Sequence, residues 1–222
     1  MRSLCDTVFC FDLDDTLYPE LDFLKSGYRA LARELGSELN RSPEGIFEQM
    51  LGLYMSGCDN VFARIARTLG TGMTVDRMVG IYRCHRPELT LPRDSFETLS
   101  YLKENGAALG LVTGGGSITQ RNKISALGLT DFFDEGSIVI SEEFGSEKPD
   151  EANFEYFRRR WPGCAYTYVG DNERKDFLSP NRLGWTTFRV GCNVSLKRED
   201  VDVPPEFRAR YEIGRLSELI SF

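Results

Sequence analysis

Thr7-Val8-Phe9-Cys10-Phe11-Asp12-Leu13-Asp14-Asp15-Thr16-Leu17 is the stretch on which the fold turns. Its first five residues form an apolar run that reads as a buried strand. Carboxylates inside such a strand would be costly to bury. At its C-terminal end they are tolerated, and in open α/β sheets that is where ligands bind. Asp12 and Asp14 are two apart, so an extended backbone turns them the same way. Two carboxylates that close repel unless a cation lies between them or one holds a proton. The pattern points to a metal site, an acid/base pair, or both. A turn or a helix N-cap built from Asp and Thr is the plainer alternative.

The chain has 222 residues, enough for one α/β domain or a core domain carrying a smaller insertion. Its net charge is −7 and it has no Lys/Arg run, which argues against binding nucleic acid or an anionic membrane. No apolar stretch is long enough to span a bilayer. Met1-Arg2-Ser3-Leu4-Cys5-Asp6 lacks the apolar segment of a signal peptide, so a cytoplasmic protein is expected. Cys5, Cys10, Cys58, Cys84, Cys164 and Cys192 are scattered, with no Cys-x-x-Cys, and read as reduced thiols. His85 is the only histidine. That excludes a multi-histidine metal site, and no Gly-x-Ser-x-Gly elbow is present. Hydrolytic chemistry here falls to carboxylates.

Residues 19–88 read as a four-helix insertion. Apolar residues at helical spacing run over Leu21–Leu35 and stop at Gly36. Ser42-Pro43 opens a second helix as N-cap and first-turn proline. Val61–Leu69 stops at Gly70, and Thr74–Cys84 stops before Pro87. Beyond them strands (Ala107–Val112, Ser137–Ile140, Tyr166–Val169, Trp185–Val190) alternate with helices (Asp94–Lys103, Ile118–Leu127, Glu151–Arg160, Asp176–Leu183). This alternation predicts a parallel sheet covered on both faces. Beyond a polar tail from Asn193, Tyr211-Glu212-Ile213 and Leu216–Ile220 suggest an edge strand and a last short helix.

The unusual polar residues fall at or just past the C-terminal ends of these strands. Asp12 and Asp14 follow the first, Thr113-Gly114-Gly115-Gly116 the second, Lys148-Pro149 the third, and Gly170-Asp171-Asn172 the fourth, with Asp176 shortly after. In a parallel sheet those ends share one edge. A carboxylate cluster, a hydroxyl with free amides and an ammonium suit phosphoryl transfer with a divalent metal. The glycine run is not a dinucleotide loop, because Thr119 stands where Gly-x-Gly-x-x-Gly needs its last glycine.

Taken together, Asp12-x-Asp14-x-Thr16, Thr113, Lys148-Pro149, and Gly170-Asp171 with Asp176 resemble the haloacid dehalogenase superfamily, in its phosphatase-type form with a helical cap inserted after the first strand. The resemblance implies a Rossmann-like three-layer core over residues 1–18 and 89–222 and a cap over 19–88. It implies an Mg²⁺-dependent phosphatase of a small phosphorylated metabolite, a nucleoside monophosphate or a sugar phosphate. Asp12 would be the nucleophile and Asp14 the general acid and base. Mg²⁺ would be held by the Asp12 carboxylate, the Asp14 main-chain carbonyl and the Asp171 carboxylate. Asn172 and Asp176 would stand around the metal rather than on it. Thr113 and the amides of Gly114 and Gly115 would hold phosphoryl oxygens, and Lys148 would neutralise charge. Tyr18 and His85 are the candidates on the substrate side, and Asp15 is structural.

Phosphatases of this type often carry Asp or Asn where Gly114 stands, which removes any side-chain contact there. Asp14 argues against carbon–halogen chemistry, since dehalogenases generally lack the second acid. A phosphomutase and a non-catalytic binding module are the alternatives. A monomer or homodimer is expected, with no nucleic-acid partner and no membrane.

Overall fold

The computed structural model describes residues 4–191 and 203–222. Cys192 and the start of the polar tail at Asn193 lie outside the described residues. The chain divides into two compact units, Met1–Glu20 with Thr90–Phe222, and Leu21–Leu89.

The first unit is built on a six-stranded sheet. Its strands are β1 (Thr7–Phe11), β2 (Ala108–Thr113), β3 (Ile138–Ile140), β4 (Ala165–Gly170), β5 (Thr186–Val190) and β6 (Tyr211–Ile213). Their order is β3-β2-β1-β4-β5-β6, and every pairing is parallel. This is the Rossmann-like α/β arrangement, in which the strand order reverses beside β1 and opens a crevice at the strand C-termini. β1 is central and its residues from Val8 to Phe11 are buried, as its unbroken apolar run requires. Val8, Cys10, Val112, Val139 and Tyr168 join Phe154, Phe157, Phe177 and Trp185 in one core cluster. The alternate residues Phe9, Phe11, Leu109 and Leu111 are also buried, with the Phe11 ring 6.5 Å from that of Phe133.

The second unit holds α1 (Glu20–Leu39, which begins one residue before it), α2 (Pro43–Met55), α3 (Val61–Leu69) and α4 (Val75–Cys84) around a core including Tyr28, Leu31, Leu35, Phe47, Ile65 and Met78. Helix α1 does not stop at Gly36; it runs a further turn, and Asn40 takes the left-handed conformation with φ 51°. Gly36 serves a close approach: a Cβ there would lie 2.8 Å from the Arg41 carbonyl and 2.9 Å from the Pro43 ring. Thr74 caps α4 by accepting from the Arg77 amide, and Gly70 ends α3 in the left-handed region.

In the first unit the remaining helices are α5 (Arg93–Glu104), α6 (Ser117–Ala126), α7 (Ser141–Phe144), α8 (Ala152–Arg160), α9 (Glu173–Asp176) and α10 (Leu178–Arg182). The sequence predicts one helix over Asp176–Leu183, and the structure has two turns meeting at buried Phe177. Pro180 supplies no N–H to the carbonyl of Asp176, so the helix breaks between them. The C-terminal segment Leu216–Ser221 is a 3₁₀ turn whose first amides donate to Asp94 Oδ2 at 2.8 and 3.3 Å. Among the described residues no helix is long and apolar enough to cross a membrane.

Candidate active site

The loop after β1 is tied down along its length. The Asp12 amide donates to the Val169 carbonyl at 2.9 Å, continuing the ladder with β4 one step past the strand. Asp15 adopts φ 57°; its amide donates to the Tyr18 carbonyl, and its carboxylate accepts from the Glu20 amide at 2.8 Å, at the start of α1. Ser95 donates to the Leu17 carbonyl at 2.6 Å. Asp12 is thereby fixed at the point where the strand order reverses.

Lys148 Nζ donates to Asp12 Oδ1 at 2.5 Å, to Asp176 Oδ1 at 2.6 Å and to the Tyr168 hydroxyl at 3.1 Å. Burial alone would lower the pKa of this ammonium, but the Asp12 and Asp176 carboxylates outweigh it and hold the pKa well above its usual value. Asp12, Asp171 and Asp176 offer oxygens that all lie within 4.8 Å of one another. Burial, with the neighbouring carboxylates acting against Lys148, pushes Asp12 up to about 7. Burial and the charges of Asp12 and Asp176 push Asp171 up to about 8. Three crowded carboxylates share one ammonium, and an oxygen-binding divalent cation fits that donor set.

Asp176 is 1% exposed, and both its oxygens are engaged, Oδ2 by the Asn172 amide at 2.9 Å. It reaches this position because residue 170 is glycine: a Cβ there would sit 2.6 Å from Asp176 Oδ2. Asn172 itself caps α9, accepting from the Arg174 amide.

Asp14 stands apart from this cluster. Its two carboxylate oxygens each accept from Lys123 Nζ at 2.8 Å, and Oδ1 also accepts from the Tyr18 hydroxyl at 2.6 Å. Any contact of Asp14 with a metal therefore falls to its main chain. Lys123 was not legible as a site residue, because a helical lysine ordinarily reads as a solvated face. The signal was its register: Gln120, Lys123, Ile124 and Leu127 follow helical spacing, and all four are buried.

Three expectations need correction. Tyr18 does not turn its hydroxyl toward a substrate: it is 2% exposed, and the hydroxyl holds Asp14. The Gly115 amide is not a free donor, since it donates to Ser141 Oγ at 2.9 Å. His85 has both ring nitrogens engaged within the helical unit, Nδ1 with the Tyr82 carbonyl at 2.6 Å and Nε2 with Ser26 Oγ at 3.1 Å, and its ring lies 4.8 Å from that of Phe23. Thr113 ends β2 and is buried. At Gly114 a Cβ would meet nothing within 4 Å, so the position beside Thr113 is open.

Residues 9–190 match the family described as haloacid dehalogenase-like hydrolase. A glyceraldehyde 3-phosphate phosphatase from Methanopyrus kandleri is 34% identical, over 95% of this chain and 94% of its own. A ribulose-1,5-bisphosphate 5-phosphatase from Halopiger xanaduensis is 30% identical, over 96% of this chain and 97% of its own. The HAD-hydrolase YfnB from Bacillus subtilis, solved bound to magnesium, shares the fold with a TM-score of 0.67 at 22% identity, over 96% of each chain. The chain belongs to the haloacid dehalogenase-like hydrolase family. Within that family it is an enzyme of the phosphatase kind.

Proposed function

We propose that this chain is a magnesium-dependent phosphatase that hydrolyses a small sugar phosphate through an aspartyl-phosphate on Asp12. The observation that carries the reading is the division of labour between the two acids. Asp12 faces the Lys148 ammonium beside Asp171 and Asp176, while Asp14, two residues on, is held separately by Lys123. A nucleophile and a proton carrier need such different surroundings. Relatives named for glyceraldehyde 3-phosphate and ribulose-1,5-bisphosphate favour a short phosphorylated sugar over a nucleoside monophosphate.

In this reading Asp12 attacks phosphorus and the bond to the sugar oxygen breaks. Asp14 gives that oxygen its proton, so the sugar leaves as an alcohol. Asp14 then takes a proton from the water that attacks the aspartyl-phosphate, and inorganic phosphate leaves. Lys148 offsets negative charge on Asp12 and the phosphoryl group throughout. Thr113, at the end of β2, holds a phosphoryl oxygen. The Asp12 and Asp171 carboxylates and the Asp14 carbonyl would hold Mg²⁺, which when bound neutralises phosphoryl charge. Asp176, with both oxygens engaged, holds Lys148 in place. We place the reaction in the cytoplasm; Cys5, Cys10, Cys58 and Cys164 carry unbridged thiols, which suits a reducing compartment.

The test is phosphate release, with Mg²⁺, from glyceraldehyde 3-phosphate, ribulose 1,5-bisphosphate, ribose 5-phosphate and uridine monophosphate. A sugar phosphate is expected to give the highest kcat/KM. Asp12→Asn is expected to keep the fold and lose at least about 10³-fold in kcat. Preference for the nucleotide would overturn the substrate class, and a variant above about a tenth of wild-type activity would overturn covalent catalysis.

A further inference from the structure

We propose that Lys123 is a positioning residue for Asp14, acting with Tyr18 and Gln120 to fix the orientation of its carboxyl group. The inference rests on the reading of Asp14 as the proton carrier. Lys123 is 2% exposed, on a helix whose other buried residues include Ile124. An ammonium is kept from water only where a compensating charge meets it. Here that charge is Asp14, met by Nζ at 2.8 Å from both oxygens. A single donor shared between two oxygens fixes the direction of the carboxylate but leaves it free to rotate about the shared axis. The Tyr18 hydroxyl at 2.6 Å on Oδ1 stops that rotation.

Gln120, one turn earlier on α6, completes the clamp. Its side-chain nitrogen donates to the Gly114 carbonyl at 2.6 Å and lies 3.4 Å from Asp14 Oδ2. Helical spacing of three puts Gln120 and Lys123 on one face. Through Gln120 the same helix grips the loop after Thr113. The loop after Thr113 and the side chain of Asp14, whose acid form would give the leaving oxygen its proton, are thus set by one rigid element.

The test compares kcat/KM for glyceraldehyde 3-phosphate, whose alkoxide needs a proton, with that for 4-nitrophenyl phosphate, whose phenolate hardly does. This constant reports steps only up to release of the alcohol, so later hydrolysis of the aspartyl-phosphate does not mask the contrast. Lys123→Met is expected to lose about 10²-fold on the sugar phosphate, the usual cost of misplacing a reacting group by an ångström, and little on the nitrophenyl ester. In an Asp14→Asn background the same substitution is expected to cost nothing further, because Lys123 acts through Asp14. Equal losses on both substrates, or losses that add in the double variant, would overturn the proposal. If Lys123→Met does not fold, Tyr18→Phe gives the same readout, with a loss of about 10-fold confined to the sugar phosphate, and equal losses again overturn it. Asp14→Asn separates the two levels of the argument. If it shows no leaving-group contrast, the acid reading itself fails. If it shows one while the folded Lys123 or Tyr18 variant does not, only the positioning role fails.

Discussion

Gly170→Ala puts one methyl group against Asp176, the residue that holds Lys148. The backbone at 170 is not in the left-handed region, so the substitution adds no conformational strain and isolates a steric effect. The new Cβ would lie 2.6 Å from Asp176 Oδ2, 2.8 Å from its Cγ and 3.0 Å from its own Cβ, where ordinary contact begins at 3.4 Å. Asp176 must withdraw by about 0.8 Å, or β4 must shift by as much. Withdrawal loosens its 2.6 Å bond to Lys148 and its 2.9 Å bond from the Asn172 amide. Forcing a methyl into a packed site costs about 1–3 kcal/mol of stability. Loosening this hold on Lys148 is expected to cost up to about 10²-fold in kcat. The assay pairs urea unfolding with turnover of glyceraldehyde 3-phosphate, repeated in an Asp176→Ala background where the methyl has room. There the added cost is expected to fall to within about threefold. Wild-type turnover and midpoint in Gly170→Ala, or an undiminished cost without Asp176, would refute the steric argument.

Activity is expected to vanish with a chelator and to return with Mg²⁺, and only weakly with Ca²⁺, which prefers a larger and looser oxygen shell; full turnover in the chelated protein would contradict the cation assignment. Asp12 and Asp171 have folded values of about 7 and 8 against an ordinary 3.8, so without metal the native state binds more protons than the unfolded chain. The stability this confers is complete below the unfolded value and is lost as pH rises toward 8. The rise in Tm on adding Mg²⁺ is therefore expected to be larger at about pH 8 than at about pH 5, and an equal rise at both would be the opposing result. Gly36→Ala is expected to destabilise the helical unit by about 1–3 kcal/mol, since its Cβ meets the Arg41 carbonyl and Pro43 ring; an unchanged Tm would show that this corner yields freely.

The strands were legible because a parallel sheet buries both faces, which leaves continuous apolar runs such as Val8–Phe11. The gathering of Asp12, Lys148, Asp171 and Asp176 was legible for a topological reason: parallel strands bring their C-terminal ends to one edge. What escaped depends on contacts remote in sequence. Lys123 meets Asp14 across a gap of 109 residues, and its helical register with Ile124 and Leu127 marks its face but not its partner. Tyr18 is a substrate-side candidate in the sequence because it directly follows the Asp12–Leu17 loop, and His85 because it precedes the return into the core. Their hydroxyl and ring nitrogens instead satisfy partners inside their own units. The Gly115 amide was read as free because the short helix carrying Ser141 was not foreseen.

The grip of α6 on Asp14 also bears on how this chain can change through descent. A helix turns about 100° per residue, so inserting or deleting one residue between Ser117 and Gln120 would swing both Gln120 and Lys123 away from the carboxylate. Replacing Thr119 or Asn122 leaves that register untouched. The grip therefore constrains the length of this segment as well as the identity of its two gripping residues. For this grip, the spacing of Gln120 and Lys123 along the helix counts for as much as their chemistry.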